Sequence, residues 1–357
     1  MYLYWFERIV RKMANDPCWA LPYWNWSSST ERRLPAPFRD PSSVLYTANR
    51  DAAMNDGTGS LPPFDVDYGT AFAITDFTNA SSSLEGTPHG AVHVDIGGWM
   101  GSVPTAAQDP IFYLHHCNID RLWNLWLAQG GGRVDPLPDA AWRNTQFTFF
   151  DENGQAVKMT GCEVVRAAQQ LGYAYEGEPA QVNEYCGRVL KFPVAILRTL
   201  LLQLPNPPVV LGPKPVTVTI DVRALSARIT TAMRLPTQTL LFELEDVTAD
   251  RQPGVVWEVY VGARAEGLKR DSTNATYVGN IALFGNGIRS ESHHGFKPAH
   301  FAFPIERALA VALRQQRGLI PVTFIPHGLD ILGKASTPEV ASAVRVGKMS
   351  LTVETAK

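Results

Sequence analysis

Four histidines fall within a short stretch of this 357-residue sequence: His89, His93, His115 and His116. His89 and His93 stand four residues apart, so on a helix both rings project from one face. That spacing alone fits a packed or surface-lying helix as well as it fits a pair of metal ligands. The second pair says more. The run Asp109-Pro110-Ile111-Phe112-Tyr113-Leu114-His115-His116-Cys117-Asn118-Ile119-Asp120-Arg121-Leu122-Trp123 sets two imidazoles in apolar surroundings. Burying such rings without partners costs on the order of 2 kcal/mol or more each, and a metal ion meets that need. Asp120 lies one helical turn beyond His116, where a carboxylate can accept the second ring N–H and orient a ligand. Neutral imidazoles without a thiolate suit copper, zinc or iron, and ligand type does not choose among them.

Presenting these rings requires two helices. One is expected to bracket His89 to Val94; the other runs from about Pro110 to Gln129 and stops at Gly130-Gly131-Gly132. Near the start, Leu3, Phe6, Ile9, Val10 and Met13 follow a helical spacing that ends at Asn15-Asp16-Pro17. Loop-forming residues dominate up to about residue 86. A short strand at Phe147 to Phe150, the turn Asp151-Glu152-Asn153-Gly154 and a helix near 162–171 come next. Beyond Leu204-Pro205-Asn206-Pro207-Pro208, read as linker, strand-like runs recur at 216–222, 239–244, 255–261, 277–284, 322–325 and 349–353. With one amphipathic helix at 305–315, this pattern predicts a β-sandwich-like domain of roughly 150 residues.

Composition narrows the partners. Hydrophobic residues make up 45% and charged residues 18%, a globular balance, and the formal net charge of -2 comes without a basic block. Nucleic acid and anionic membrane surfaces therefore have no electrostatic footprint here. The longest apolar stretch, 192–204, contains Pro193 and Arg198 and is too short to span a bilayer. Cys18, Cys117, Cys162 and Cys186 are widely spaced with no CxxC pair, which excludes a zinc ribbon and leaves disulfide pairing open. Cys117 is expected to pack rather than ligate, because adjacent helical positions point about 100° apart. Met1 opens into an aromatic run rather than a charged and then apolar leader pattern, so compartment and oligomeric state are left unassigned.

The string His89-x-x-x-His93, Gly97-Gly98-x-Met100, Asp109-Pro110-x-Phe112-x-x-His115-His116-x-x-x-Asp120-Arg121-x-Trp123 resembles the CuB signature of tyrosinases, catechol oxidases and related type-3 copper proteins. Tyr2-Leu3-Tyr4-x-Phe6-Glu7 and Leu21-Pro22-Tyr23-Trp24-Asn25-Trp26 are similar to the segment that follows the CuA site in that family. Phe149-Phe150-Asp151-Glu152-Asn153 and Leu171-Gly172-Tyr173-x-Tyr175-Glu176 resemble the end of the catalytic domain in plant-type polyphenol oxidases. The resemblance implies a multi-domain fold: a mainly α-helical type-3 copper core over 1–185, a linker over 186–214, and a β-sandwich-like shielding domain over 215–357. It implies copper as cofactor, two ions in the family, with His89, His93 and His116 as the CuB ligands. It places His115 in the substrate pocket and Phe112 against a ligand ring or the bound phenol. Glu85 falls where plant-type enzymes hold a water that helps accept the phenolic proton. Gly90 follows the first ligand where strong monophenolases often carry Asn, which favours diphenol oxidation. Val103 would leave the entrance open.

The same resemblance predicts a gap. In the family the three CuA histidines precede the Tyr-Leu-Tyr-x-Phe-Glu segment, which here begins at Tyr2, and no histidine comes before His89. The expectation is a copper core that is incomplete for lack of its CuA segment, holding one copper and inactive as it stands. The parent would oxidise o-diphenols to o-quinones with O2, with or without monophenol hydroxylation. The alternative is a non-catalytic type-3 homologue or a mononuclear metal-binding remnant. His293, His294 and His300 are expected to be exposed loop histidines rather than replacement ligands.

Overall fold

The structure, a computed structural model, describes residues 1–137, 139–165, 174–175, 196–204, 208–235, 237–270, 273–291, 296–316, 318–331, 334–335 and 339–356. Most of the Leu171–Glu176 motif, Cys186, and His293 with His294 lie outside the described residues. The main helices are α1 (Tyr2–Ala14), α2 (Phe77–Leu84), α3 (Ala91–Ile96), α4 (Ile111–Ala128), α5 (Ser226–Ala232) and α6 (Glu306–Gln316). The strands that matter here are β1 (Gln146–Phe150), β2 (Ala156–Thr160), β3 (Ile196–Gln203), β4 (Val209–Leu211), β5 (Val216–Asp221) and β6 (Gln238–Ala249). They continue with β7 (Val256–Val261), β8 (Tyr277–Ile281), β9 (Ala299–Pro304), β10 (Leu319–His327), β11 (Val344–Val346) and β12 (Lys348–Ala356). The chain gathers into two compact units, one from Met1–Trp24, Thr75–Thr78 and Tyr113–Ala195, the other from Asn25–Ile74, Asn79–Phe112 and Ile196–Lys357.

In the first unit, α1 ends on Asn15 in the left-handed conformation, φ 52°, which closes the last turn. Its apolar side chains Leu3 and Phe6 pack with Leu21, Tyr113, Leu114, Tyr175 and the buried Cys117, as expected of a packed cysteine. Phe6 stacks on Tyr113 at 3.8 Å between ring centroids. Strands β1 and β2 pair as an antiparallel hairpin. Its turn is held by Asp151, whose Oδ1 accepts from the backbone N–H groups of Asn153 and Gln155 at 2.8 Å each. Cys162 is disulfide-bonded.

The second unit holds the sheets. One sheet runs β3-β12-β6-β11-β4, with β9 also paired to β6; the other runs β5-β10-β7-β8. Leu240, Phe242 and Leu244 of β6, Val259 of β7, Phe324 of β10 and Leu351 of β12 meet in one apolar cluster, joined by Ile229 of α5 and Leu309 of α6. Fully burying a side chain of this size stabilises by roughly 1.5–3 kcal/mol, and β7 is buried along its whole length. Strands β3 and β4 were placed in a linker by the sequence reading. Here the structure corrects it: the β3 run Ile196-Leu197-Arg198-Thr199-Leu200 carries ladder pairing to β12, and β4 pairs with β11.

Also in this unit, Arg50 fixes the start of α4. Its guanidinium donates to both oxygens of Asp109 at 2.7 and 2.8 Å, and both side chains are fully buried. Further bonds run from Arg50 to the carbonyls of Phe38 and Leu45. Asp109 Oδ1 in turn accepts the Ile111 backbone N–H at 3.0 Å, capping the helix.

Candidate metal centre

Between α2 and α3 the chain passes through Glu85–Gly90, where Thr87 leaves helical geometry at φ -145° and ψ 123°. Helical geometry resumes after Pro88, so His89 and His93 rise from one face, their rings edge-to-face with centroids 4.8 Å apart. His93 is fully buried, and its Nδ1 lies 2.8 Å from the Met100 carbonyl oxygen. A carbonyl only accepts, so Nδ1 carries the proton and the Nε2 lone pair is left for a metal. The Gly97-Gly98 pair makes this contact reachable. Both have left-handed φ, 64° and 54°, and a Cβ on Gly98 would sit 2.2 Å from the Asn49 carbonyl oxygen. The orienting role of the Met100 carbonyl was not expected from the sequence, although the Gly-Gly signal preceding it was visible.

Helix α4 carries His115, fully buried, and the half-buried His116, their centroids 5.3 Å apart. His89, His93, His115 and His116 each offer a ring nitrogen, and these atoms all lie within 4.8 Å of one another. Ligand nitrogens around one tetrahedral ion at about 2.0–2.1 Å stand roughly 3–4 Å apart. The all-imidazole chemistry of this group suits copper, zinc or iron. Phe112 meets the His93 ring edge-on at 5.9 Å.

Glu85 is exposed and its Oε2 lies 3.0 Å from His89 Nδ1. Asp120 accepts the Tyr175 hydroxyl at 2.7 Å. Val103 is half exposed, and its Cγ2 lies 3.1 Å from where a Cβ on Gly285 would stand.

A residue that the sequence reading did not single out completes the surroundings. Phe284, just after β8, stacks on His93 with centroids 3.8 Å apart and an interplanar angle of 11°. It also meets His89 edge-on at 5.6 Å. No sequence signal marks it. A Cβ on Gly90 would lie 2.9 Å from the Glu85 carbonyl oxygen and 3.4 Å from Phe284, so the absent side chain leaves room for this ring. His300 departs from the exposed-loop expectation. It sits on β9 with Nε2 2.9 Å from Glu243 Oε2, because ladder pairing with β6 brings it beside a buried carboxylate.

Comparison with known proteins shows what the chain is similar to. The profile of the common central domain of tyrosinase matches residues 1–66 and 48–129, and that of the polyphenol oxidase middle domain matches 137–184. Over residues 1–129 and 137–184 this chain is similar to the tyrosinase and polyphenol oxidase family. A chloroplastic polyphenol oxidase of Malus domestica is 34% identical over 220 residues, covering 49% of this chain and 36% of that protein. A tyrosinase of Hahella sp. is 38% identical over 211 residues, covering 49% of this chain and 44% of its own length. Chloroplastic polyphenol oxidase B of Solanum lycopersicum is 26% identical over 374 residues, 91% of this chain and 62% of that protein. The chain thus spans less than half the length of the first two of these relatives. Among solved structures, latent aurone synthase superposes with a TM-score of 0.68 at 21% identity, over 100% of this chain and 75% of that one. Latent apple tyrosinase does so at 0.66 and 22% identity, over 99% and 81%. These likenesses show a polyphenol oxidase fold, with helices and a sheet-rich C-terminal region.

Proposed function

We propose that His89, His93 and His116 hold the CuB copper of an enzyme that oxidises o-diphenols to o-quinones with O2. The supporting observation is the convergence of four imidazole nitrogens within 4.8 Å. Copper bound there would supply the redox chemistry that links catechol to O2. The chain's own residues do the rest. The Met100 carbonyl fixes the His93 tautomer. His115 and Phe112 border the place where a phenol ring would lie, and Glu85 positions the water that takes its proton. Asp120 is proposed to orient His116 from one turn away. Gly90 argues for diphenol oxidation over monophenol hydroxylation.

On these residues the chain holds one copper. Among the described residues the other histidines, His300 and His327, face carboxylates. Residues 1–185 are read as the copper domain, and the sheet region that begins with β3 as a shield whose Phe284 covers His93. Proteolytic removal of residues after about 205 from the whole protein is then expected to raise its activity.

Copper titration into the metal-free chain tests the site. One ion per chain is expected, with binding lost in His93→Ala and His116→Ala. Copper binding that survives both substitutions would overturn the assignment. One copper bound with no quinone formed by the whole protein would favour a non-catalytic relative instead.

A further inference from the structure

We infer that the loop Asn49–Asp51 is a clasp that holds the segments carrying His93 and His116 in register, and that Arg50 is a positioning residue of the metal centre. This role rests on the copper reading above. The side chain of Arg50 makes one arm of the clasp. Its guanidinium carries five N–H groups, and each meets an acceptor. Two are the carboxylate oxygens of Asp109, at 2.7 and 2.8 Å. The others are the carbonyls of Phe38 at 2.6 Å and Leu45 at 3.0 Å, and Asn55 Oδ1 at 3.1 Å. Asp109 passes the hold to α4: Oδ1 accepts the Ile111 N–H, and its carbonyl accepts the Phe112 N–H at 3.0 Å. His115 and His116 stand in the first two turns of α4. A tilt or slip of the helix start therefore moves both rings.

The backbone of the same loop makes the other arm. The Asp51 N–H donates to the Ile96 carbonyl at the end of α3, at 2.8 Å, and the Asn49 carbonyl accepts the Trp99 N–H at 2.9 Å. Trp99 adjoins Met100, whose carbonyl meets His93 Nδ1. Consecutive residues thus bond to the segment that orients His93 and to the start of the helix that carries His116. A buried ion pair such as Arg50–Asp109 is weak evidence for stability, and its best-attested use is to fix register. Lysine keeps the charge, but its single nitrogen cannot span both Asp109 oxygens and reach the carbonyls as well.

Copper affinity, measured by competition with a chelator, is compared in wild type, Arg50→Lys, His116→Ala and the double variant of the full chain. His116→Ala should cost about tenfold or more in wild type but less than about threefold in Arg50→Lys, whereas independent sites would add. His93→Ala should keep its full effect in Arg50→Lys, because the backbone arm is untouched. Asp109→Asn carries the same test if Arg50→Lys does not fold, since it keeps an acceptor for Ile111 and loses the second oxygen facing Arg50. His327→Gln, destabilised away from the clasp, controls for instability and should leave the cost of His116→Ala intact. Hydrogen exchange of the metal-free chain is the second readout. Arg50→Lys should speed exchange at the Ile111 and Phe112 amides and leave those of Asp51 and Trp99 unchanged. The positioning role is overturned if the copper losses add in both Arg50→Lys and Asp109→Asn, if they shrink equally in His327→Gln, or if exchange rises evenly along the chain. A wild type that binds no copper, or binds it as well without His93 and His116, instead overturns the copper reading and the role of the clasp with it.

Discussion

His93 and His327 are both buried imidazoles, yet the groups around them differ in kind. His93 faces the Met100 carbonyl at Nδ1, the Phe284 ring on its flat face and three other imidazoles nearby. His327, at the end of β10, has Asp65 Oδ2 2.7 Å from Nε2 and Glu258 Oε1 3.2 Å from Nδ1. Arg270 and the Tyr260 hydroxyl also bond Glu258, and Asn280 donates to Asp65. Burial alone would lower the pKa of His327, but charge and hydrogen bonds from Asp65 and Glu258 raise it to about 10. One ring has a carbonyl at Nδ1 and other imidazoles about it; the other is a cation held between two carboxylates. A buried histidine becomes a ligand or a structural ion according to what meets its two nitrogens.

The largest effect expected from this contrast is on copper affinity. His93→Ala should lower it by more than about a hundredfold, beyond the range seen for outer-sphere partners, while His327→Ala should leave it nearly unchanged. Equal losses by equilibrium dialysis would break the comparison. Stability should run the other way. In metal-free protein, His327→Ala leaves buried Asp65 without its cation and Glu258 with Arg270 alone, and should cost about 3–5 kcal/mol in denaturant unfolding. His93→Ala should cost less than that.

Next comes pH. The folded pKa of His327, about 10, lies above an unfolded value near 6.5. Its contribution is therefore complete below about pH 6.5 and is lost as pH rises through about 10, a decline of a few kcal/mol. The stability difference between wild type and His327→Gln should shrink across that window. A difference that grows with pH would show the sign to be wrong. The smallest effect is steric. A Cβ on Gly86 would lie 2.7 Å from Phe301 Cε1, so Gly86→Ala should destabilise by about 1–2 kcal/mol through overpacking, read as a lowered unfolding midpoint.

The histidine cluster was legible in the sequence for local reasons. His89 and His93 share a helix face by spacing, and His115 with His116 sit in a run whose apolar flanks make an unpartnered ring costly. The α4 stop at three glycines and the later strands were readable from the same short-range signals. Phe284 and Met100 were not legible as partners of His93, since neither an isolated phenylalanine nor a backbone carbonyl carries a sequence signal. His300 was misjudged for a related reason: its neighbour Glu243 is supplied by strand pairing. Strands β3 and β4 were missed because a proline-rich punctuation between them reads as connector, although both are satisfied by β12 and β11.

By itself the sequence determined which residue types could take a metal and which helices present them, because helical period and the cost of buried polar groups act over a few residues. Only the tertiary structure decided which imidazoles converge, which ring covers His93, and that His327 is tied up as a cation. Those outcomes depend on donors and acceptors brought together from distant stretches of chain, and local spacing carries no record of them.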